Sequence, residues 1–236
     1  MDDLAVYGRQ IGLAINETAE MLFNRYLEEL LYWNQRINLT RIVEPEDIVI
    51  KHFYDSLTCL KVLNLSPGEP VLDVGSGAGF PGIPLRILQP IKLTVLDSSQ
   101  KKVKFLQNLC SKLGFTNVEA IHGRAEDLGR TPQFREKFSV VVARAVARLD
   151  ILAELCLPFV AIGGEFLAQK GPEAGAELEL SNHAIALLGG RVEKVEKIIL
   201  PQDKGERQLI LVKKIKNSPE RFPRRPGIPE KKPLGN

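Results

Sequence analysis

The apolar run Val71-Leu72-Asp73-Val74 leads directly into Gly75-Ser76-Gly77-Ala78-Gly79-Phe80-Pro81-Gly82, and this junction constrains the chain more than any other segment. A short apolar run meeting a glycine loop, with a helix to follow, reads as a strand of a parallel sheet. The loop then lies at the carboxyl end of its strand, where open α/β sheets bind ligands. Glycine allows the sharp turn and lets the backbone approach a ligand closely. Gly77-Ala78-Gly79-Phe80-Pro81-Gly82 also satisfies the dinucleotide pattern G-x-G-x-x-G, which is weak by itself. Two acids narrow the choice. Asp73 stands two residues before Gly75, where a carboxylate suits the cationic amino end of S-adenosyl-L-methionine. Asp97 ends a second apolar run, Leu93–Leu96, and suits ribose hydroxyls, in NAD as well as in S-adenosylmethionine. Asp73 therefore favours S-adenosylmethionine, with Gly75, Gly77, Gly79, Phe80 and Asp97 around it. A plain glycine turn with capping acids is the bland alternative.

The rest of the chain supplies the frame. Asn16 reads as a helix N-cap, and Leu22/Phe23, Tyr26/Leu27 and Leu30/Leu31 recur at helical spacing. A second helix is expected from Glu44-Pro45-Glu46-Asp47 to about Leu63. From Pro70 onward, strands at Val71–Val74, Leu93–Leu96, Val118–Ile121, Phe138–Val142 and Glu165–Ala168 alternate with amphipathic helices. Val192–Leu200 and Arg207–Lys213, joined through Pro201-Gln202-Asp203-Lys204-Gly205 with no helix between them, read as a hairpin. The spacing predicts an α/β fold: a seven-stranded, mostly parallel, Rossmann-like sheet of the class I methyltransferase type, closed by an antiparallel hairpin. Residues 1–66 form a helical extension, 67–216 the core, and 217–236 a proline-rich tail expected to be extended.

Charge is unevenly placed. The tail holds five basic and two acidic residues, and so carries the whole formal net charge of +3. A basic segment on an otherwise neutral chain suits an anionic partner. No apolar run is long enough to span a bilayer, and the acidic start does not read as a secretory signal. Cys59, Cys110 and Cys156 match neither a zinc site nor a disulfide framework, no metal is expected, and a reducing cytoplasm and a monomer are the default expectations.

Several residues carry candidate chemistry. The loop Gly123-Arg124-Ala125-Glu126-Asp127 follows the third strand and either borders the adenine, through Ala125 and Glu126, or merely caps the next helix. After the fourth strand, Val142-Ala143-Arg144-Ala145-Val146-Ala147-Arg148 lacks the Asn/Asp-Pro-Pro-aromatic motif of amine methylation. Cys156, flanked by leucines within a helix, reads as buried rather than as the nucleophile of carbon methylation. Ring-nitrogen methylation stays open, since guanine N7 presents a lone pair and needs no general base. Arg144 suits guanine O6 or the cofactor, and Lys170, at the end of the fifth strand, suits phosphate or base, or is simply a surface lysine. Arg207 reads as an ion-pair residue or an RNA contact. His52 and Asp55 read as a structural pair, and Trp33 as a core anchor or a base-stacking platform. Arg221, Arg224 and Arg225, set around Phe222 on a stiff backbone, read as an RNA-binding element or as a solubilising end.

Together these segments resemble the bacterial RsmG (GidB) family. The resemblance covers nearly the whole chain: Trp33-Asn34 with Asn38-Leu39-Thr40, His52 with Asp55-Ser56-Leu57, the loop from Gly75 to Leu85, Asp97-Ser98, Lys101-Lys102, Arg124-Ala125-Glu126, Arg144-Ala145, Lys170-Gly171, and Phe222-Pro223-Arg224-Arg225-Pro226-Gly227-Ile228-Pro229. The Gly-Phe-Pro-Gly-Ile-Pro string and the Pro-Arg-Arg tail are its most specific parts. Ala143 departs from the Ser expected before Arg-Ala. The resemblance implies methylation of guanine N7 in 16S ribosomal RNA, on the free RNA or the small subunit, in a loop near the decoding site (the 530 loop). It implies cofactor contacts at Gly75, Phe80, Ala125, Glu126 and Arg144. A small-molecule methyltransferase, a nicotinamide oxidoreductase and an inactive RNA-binding fold are the alternatives.

Overall fold

The computed structural model describes residues 2–144 and 147–235; Ala145 and Val146, within the segment after the fourth strand, lie outside the described residues, as do Met1 and Asn236. Two helices come first, α1 (Asp2–Gln10) and α2 (Glu17–Asn34). Asn16 caps α2 as expected, its Oδ1 accepting from the Ala19 amide at 2.9 Å. Ala19, Phe23, Tyr26 and Leu30, at spacings of three and four, form its buried face. The α1 helix was not legible, because its buried apolar side chains are only Leu4 and Ala5.

The expected second helix is a composite. α3 (Pro45–Ile48) passes into a π-helical turn (Val49–Tyr54), then α4 (Asp55–Leu57) and a 3-10 turn (Thr58–Lys61). Widened turns of this kind are frequent at functional sites. This one turns His52 and Asp55 toward the sheet.

Seven strands follow: β1 (Pro70–Val74), β2 (Lys92–Asp97), β3 (Val118–His122), β4 (Phe138–Arg144), β5 (Val160–Lys170), β6 (Gly190–Ile199) and β7 (Glu206–Lys214). They form one sheet in the order β3-β2-β1-β4-β5-β7-β6. The first five are parallel, and β7 inserts antiparallel between β5 and β6. α5 (Gly82–Leu88), α6 (Gln100–Lys112), α7 (Ala125–Leu128), α8 (Leu149–Cys156) and α9 (Ala174–Leu187) connect them. β1 is buried along Val71–Val74, as a central strand covered on both faces must be. β5 starts at Val160, earlier than expected, and its ladder with β4 shifts register between Phe138 and Val140. Register sets the site: Arg144 pairs with Gln169, Lys170 with Gln208, and Asp97 with His122, so the working ends of these strands form one rim.

The N-terminal helices share one hydrophobic core with one face of the sheet, uniting Phe23, Tyr26 and Phe53 with Phe80, Leu93 and Phe105. A second core under the other face joins Val141, Leu152 and Phe166. Trp33 packs edge-on against Phe105, as a core anchor.

The tail corrects the expectation of an extended basic end. Phe222 is buried, and the one-turn helix α10 (Ile228–Lys231) ends the segment. The reason is polar as well as apolar. A proline-rich backbone has carbonyls without ladder partners, and these must be satisfied where the chain packs down. Arg130 donates to the carbonyls of Pro223 (2.7 Å) and Arg221 (2.9 Å), and Arg135 to those of Phe222 (2.7 Å) and Ser218 (2.6 Å). Lys214, fully buried and pushed down to about 8 by desolvation, donates to Leu157 O and Ser218 Oγ. No helix among the described residues is long and apolar enough to cross a membrane.

Candidate active site

Asp73 is fully buried at the end of β1. Its Oδ2 accepts from Ser76 Oγ (2.7 Å) and the Gly82 amide (2.9 Å), so it ties the two ends of the glycine loop together. Its Oδ1 has no partner among the described residues. Burial pushes this carboxyl up to about 6, against the pull of Ser76 and Gly82. Asp73 lines neither cavity at the loop; through Oδ2 it holds the loop from beneath, while Oδ1 is left without a partner among the described residues. Gly75 and Gly77 adopt φ of +69° and +62° and border the main cavity. Gly79 serves packing: a Cβ there would lie 2.5 Å from the Tyr26 hydroxyl and 2.9 Å from Ile83 Cγ1. It borders neither cavity.

Gly75 separates two cavities. The smaller, of about 100 Å³, runs along β2 and α7, between Asp97, Ala125 and Glu126, with Leu96 and Leu155 as apolar walls. Asp97 Oδ2 accepts from the Gly77 amide (2.9 Å) and Oδ1 from the Ser99 amide (2.8 Å), which fixes its carboxylate at the cavity wall. Glu126, 4% exposed, pairs with Arg124 at 3.0 Å.

The larger cavity, of about 380 Å³, lies over the carboxyl ends of β4 and β5. Its floor is an aromatic stack. Phe80 lies against Tyr26 on one side (5.3 Å, 16° between planes) and contacts His52 (4.6 Å, 22°), while the Arg144 guanidinium sits 4.7 Å from the Phe80 ring centre. One carboxylate organises the wall. Asp55 Oδ2 accepts from Arg144 Nη1 (3.3 Å) and Arg207 Nε (3.1 Å), and Oδ1 accepts from Gln169 Nε2 (2.8 Å). Burial raises the Asp55 carboxyl, and the two guanidinium groups pull it back. His52 Nε2 and Thr40 Oγ1 are 2.8 Å apart, and Asn34 in turn fixes Thr40 through its amide (3.0 Å) and carbonyl (3.0 Å). Desolvation, helped by Arg144, lowers His52 to about 3, so the imidazole is neutral.

The structure thus brings Arg144, Phe80, Gly75 and Arg207 together, and adds His52, Asp55, Thr40 and Gln169 to them. Sequence reasoning read His52 and Asp55 as a structural pair. The signal available was their three-residue spacing, with nothing to place it opposite β4. Lys170 also lines the larger cavity; it is 8% exposed, and its Nζ is held by Ala147 O (2.6 Å) and Glu177 (2.8 Å). Arg224, a candidate RNA contact, is engaged within the protein. Its backbone amide and its Nε both donate to Glu154 Oε1 at 2.8 Å, beneath a fully buried carboxylate. Arg221 and Arg225 stay exposed. Cys156 is fully buried, with its thiol raised by desolvation, and Ala143 is fully buried, out of reach of any substrate.

A sheet of this order, with a glycine loop after β1, an acid closing β2 and a cavity over β4, is that of a class I S-adenosylmethionine-dependent methyltransferase. Solved structures agree on the fold. A SAM-dependent methyltransferase from Aquifex aeolicus superposes with a TM-score of 0.53 at 21% identity, covering 74% of this chain and 96% of that one. A mutant of MtNAS in complex with S-adenosylmethionine gives 0.56 at 19% identity, covering 84% of this chain and 76% of the other. The family is narrower than the fold. The model of the GidB family, rRNA small subunit methyltransferase G, matches residues 19–210. "Ribosomal RNA small subunit methyltransferase G" of Desulforamulus reducens is 44% identical, over 99% of this chain and all of that one, and its counterpart in Lactobacillus acidophilus is 48% identical over 93% of each. The chain belongs to the rRNA small subunit methyltransferase G family.

The residues fit the cofactor of that fold. The Asp97 carboxylate is preset at the end of β2, Ala125 and Glu126 line the smaller cavity beside it, and Gly75 borders both cavities.

Proposed function

We propose that the protein methylates N7 of a guanine in 16S ribosomal RNA, in the 530 loop near the decoding site. The observation that carries the choice of atom is the state of the polar groups around the larger cavity. Asp55 is already shared by Arg144, Arg207 and Gln169, and the neutral His52 is turned onto Thr40. Cys59, Cys110 and Cys156 are buried. Among the described residues the cavity offers no free carboxylate or thiolate to act as base or nucleophile. Such a site suits a nucleophile that already carries its lone pair, as guanine N7 does, and catalysis then consists of alignment. S-adenosylmethionine supplies an electrophilic sulfonium methyl.

In this reading Asp97, Ala125 and Glu126 hold the adenosine end, and the Gly75–Gly77 backbone passes beneath the methionine end. Phe80, stiffened by Tyr26 and His52, forms the floor against which the base is oriented. Arg144, held by Asp55, donates to guanine O6 and leaves N7 free, a variant of familiar Arg–guanine recognition. Arg207, and the exposed Arg221 and Arg225, meet RNA phosphates. Lys170 and Arg224 act as positioning residues for the wall and tail.

The test is methyl transfer from radiolabelled S-adenosylmethionine to ribosomal RNA and to small subunits lacking the modification, mapped by borohydride and aniline cleavage. Cleavage at one guanine of the loop is expected. Label that survives without cleavage would move the reaction away from N7. Transfer to small molecules alone would remove RNA as the substrate.

A further inference from the structure

The tail also reaches the smaller cavity. Beyond its anchors at Phe222 and Arg224 the chain turns at Gly227, with φ of +81°, and the amide of that turn donates to Glu126 Oε1 at 3.3 Å. α10 follows and carries Glu230 to the cavity wall, beside Asp97, Ala125 and Glu126. One wall of this cavity is therefore built by residues far from the glycine loop in sequence. The electrostatics agree: Glu126 and Glu230 both raise the pKa of the exposed Arg124.

We propose that Glu230 is a specificity residue of the cofactor site, its carboxylate accepting a hydrogen bond from the exocyclic amine of the adenine. The inference rests on the reading of this cavity as the adenosine end. Hydrogen-bond accounting leads to it. Asp97 holds backbone amides with both oxygens, and Glu126 already spends Oε1 on Arg124 and Gly227, which leaves it only Oε2. Glu230 makes no ion pair or side-chain hydrogen bond among the described residues, yet it stands on the same wall. Val74, Leu96 and Leu155 provide apolar walls for a flat base, whose amine is a donor in need of an acceptor. A carboxylate acceptor favours adenine, and it disfavours hypoxanthine, which presents a carbonyl oxygen at that position.

The experiment is calorimetric titration of the full chain with S-adenosylhomocysteine and with its inosine counterpart. Glu230→Ala should weaken S-adenosylhomocysteine about tenfold and bind the inosine compound at least as tightly as the parent does, because a hydrogen bond to a charged group is lost for one ligand only. Glu230→Gln, which keeps an acceptor, should retain most of the affinity, and Lys231→Ala on the same helix should bind as the parent does. Equal binding by the parent and Glu230→Ala overturns the assignment, as does equal weakening of both ligands, which would indicate mere closure of the cavity. Failure of the folded parent to bind S-adenosylhomocysteine would instead remove the reading of the cavity itself.

Discussion

Asp55 Oδ2 lies 3.3 Å from Arg144 Nη1, across 89 residues of sequence, and the two side chains are only 2% and 12% exposed. The short helix α4 that carries Asp55, which follows the π-helical turn, and the strand end that carries Arg144 are thereby fixed to each other at the wall of the larger cavity. Arg207 and Gln169 join the same carboxylate, so β4, β5 and β7 are all registered to one residue.

Removing that carboxylate should therefore cost both stability and activity. Asp55→Ala strands two guanidinium groups in a largely buried setting, and a loss of about 3 kcal/mol is expected in urea unfolding. Asp55→Asn, whose single carbonyl oxygen keeps an acceptor either for the arginines or for Gln169, should lose less. Both should lower methyl transfer at least tenfold, on the order expected when a reacting group loses its alignment.

The buried imidazole of His52 should shape the acid limb of stability. Its folded value is about 3 against an ordinary 6.5, so the unfolded chain binds a proton that the folded chain refuses. This contribution is complete above pH 6.5 and is lost as the pH falls toward 3. Asp73 acts in the opposite sense: raised from 3.8 to about 6, it takes up a proton on folding between those values and offsets part of the loss. His52→Gln removes one side of this balance. Relative to the parent, the variant should gain roughly 1.4 kcal/mol per pH unit between pH 6 and 4.5 in urea unfolding.

Two glycines of one loop should respond differently. Gly79→Ala meets Tyr26 and Ile83 below van der Waals distance at φ of +99°, so a loss of about 2 to 3 kcal/mol is expected. Gly77→Ala, with φ of +62° and nothing nearer than Gly75 O at 3.9 Å, carries only the left-handed backbone cost of about 1 to 2 kcal/mol. Its effect should appear in cofactor affinity more than in the thermal midpoint.

The three arginines of the tail should separate by assay. Arg224→Ala leaves the buried Glu154 without a countercharge, only the residue 224 backbone amide still donating to it, and should destabilise by about 3 kcal/mol. Arg221→Ala and Arg225→Ala should leave the unfolding midpoint nearly unchanged. In the proposed RNA-binding role, the double variant should bind ribosomal RNA more weakly and lower the salt slope of binding by about 2.

The fold was largely written in local pattern. The apolar run before Gly75, the acid after Leu96 and the turn from Pro201 to Gly205 each announced themselves over a few residues, because strand alternation, turn chemistry and helix capping are short-range effects. The same holds for the site residues on the loop itself. Arg144 and Phe80 stood out by position, although their stacking did not.

Tertiary structure decided the rest. Nothing near Asp55 in sequence indicates two arginines at 89 and 152 residues' distance, and nothing near Arg224 indicates Glu154. A basic, proline-rich tail has the composition of a solvated end, and it becomes a packed strap only because Arg130 and Arg135 meet its carbonyls. Lys170 looked like a free cation until the fold supplied Glu177 and Ala147. The sequence by itself determined the strands and their order, the long helices between them and the cofactor loop, but not α1, the π-helical turn or α10. Which charges are free and which are paired was settled only in three dimensions, because pairing depends on distance in space and on desolvation, and neither follows from separation along the chain.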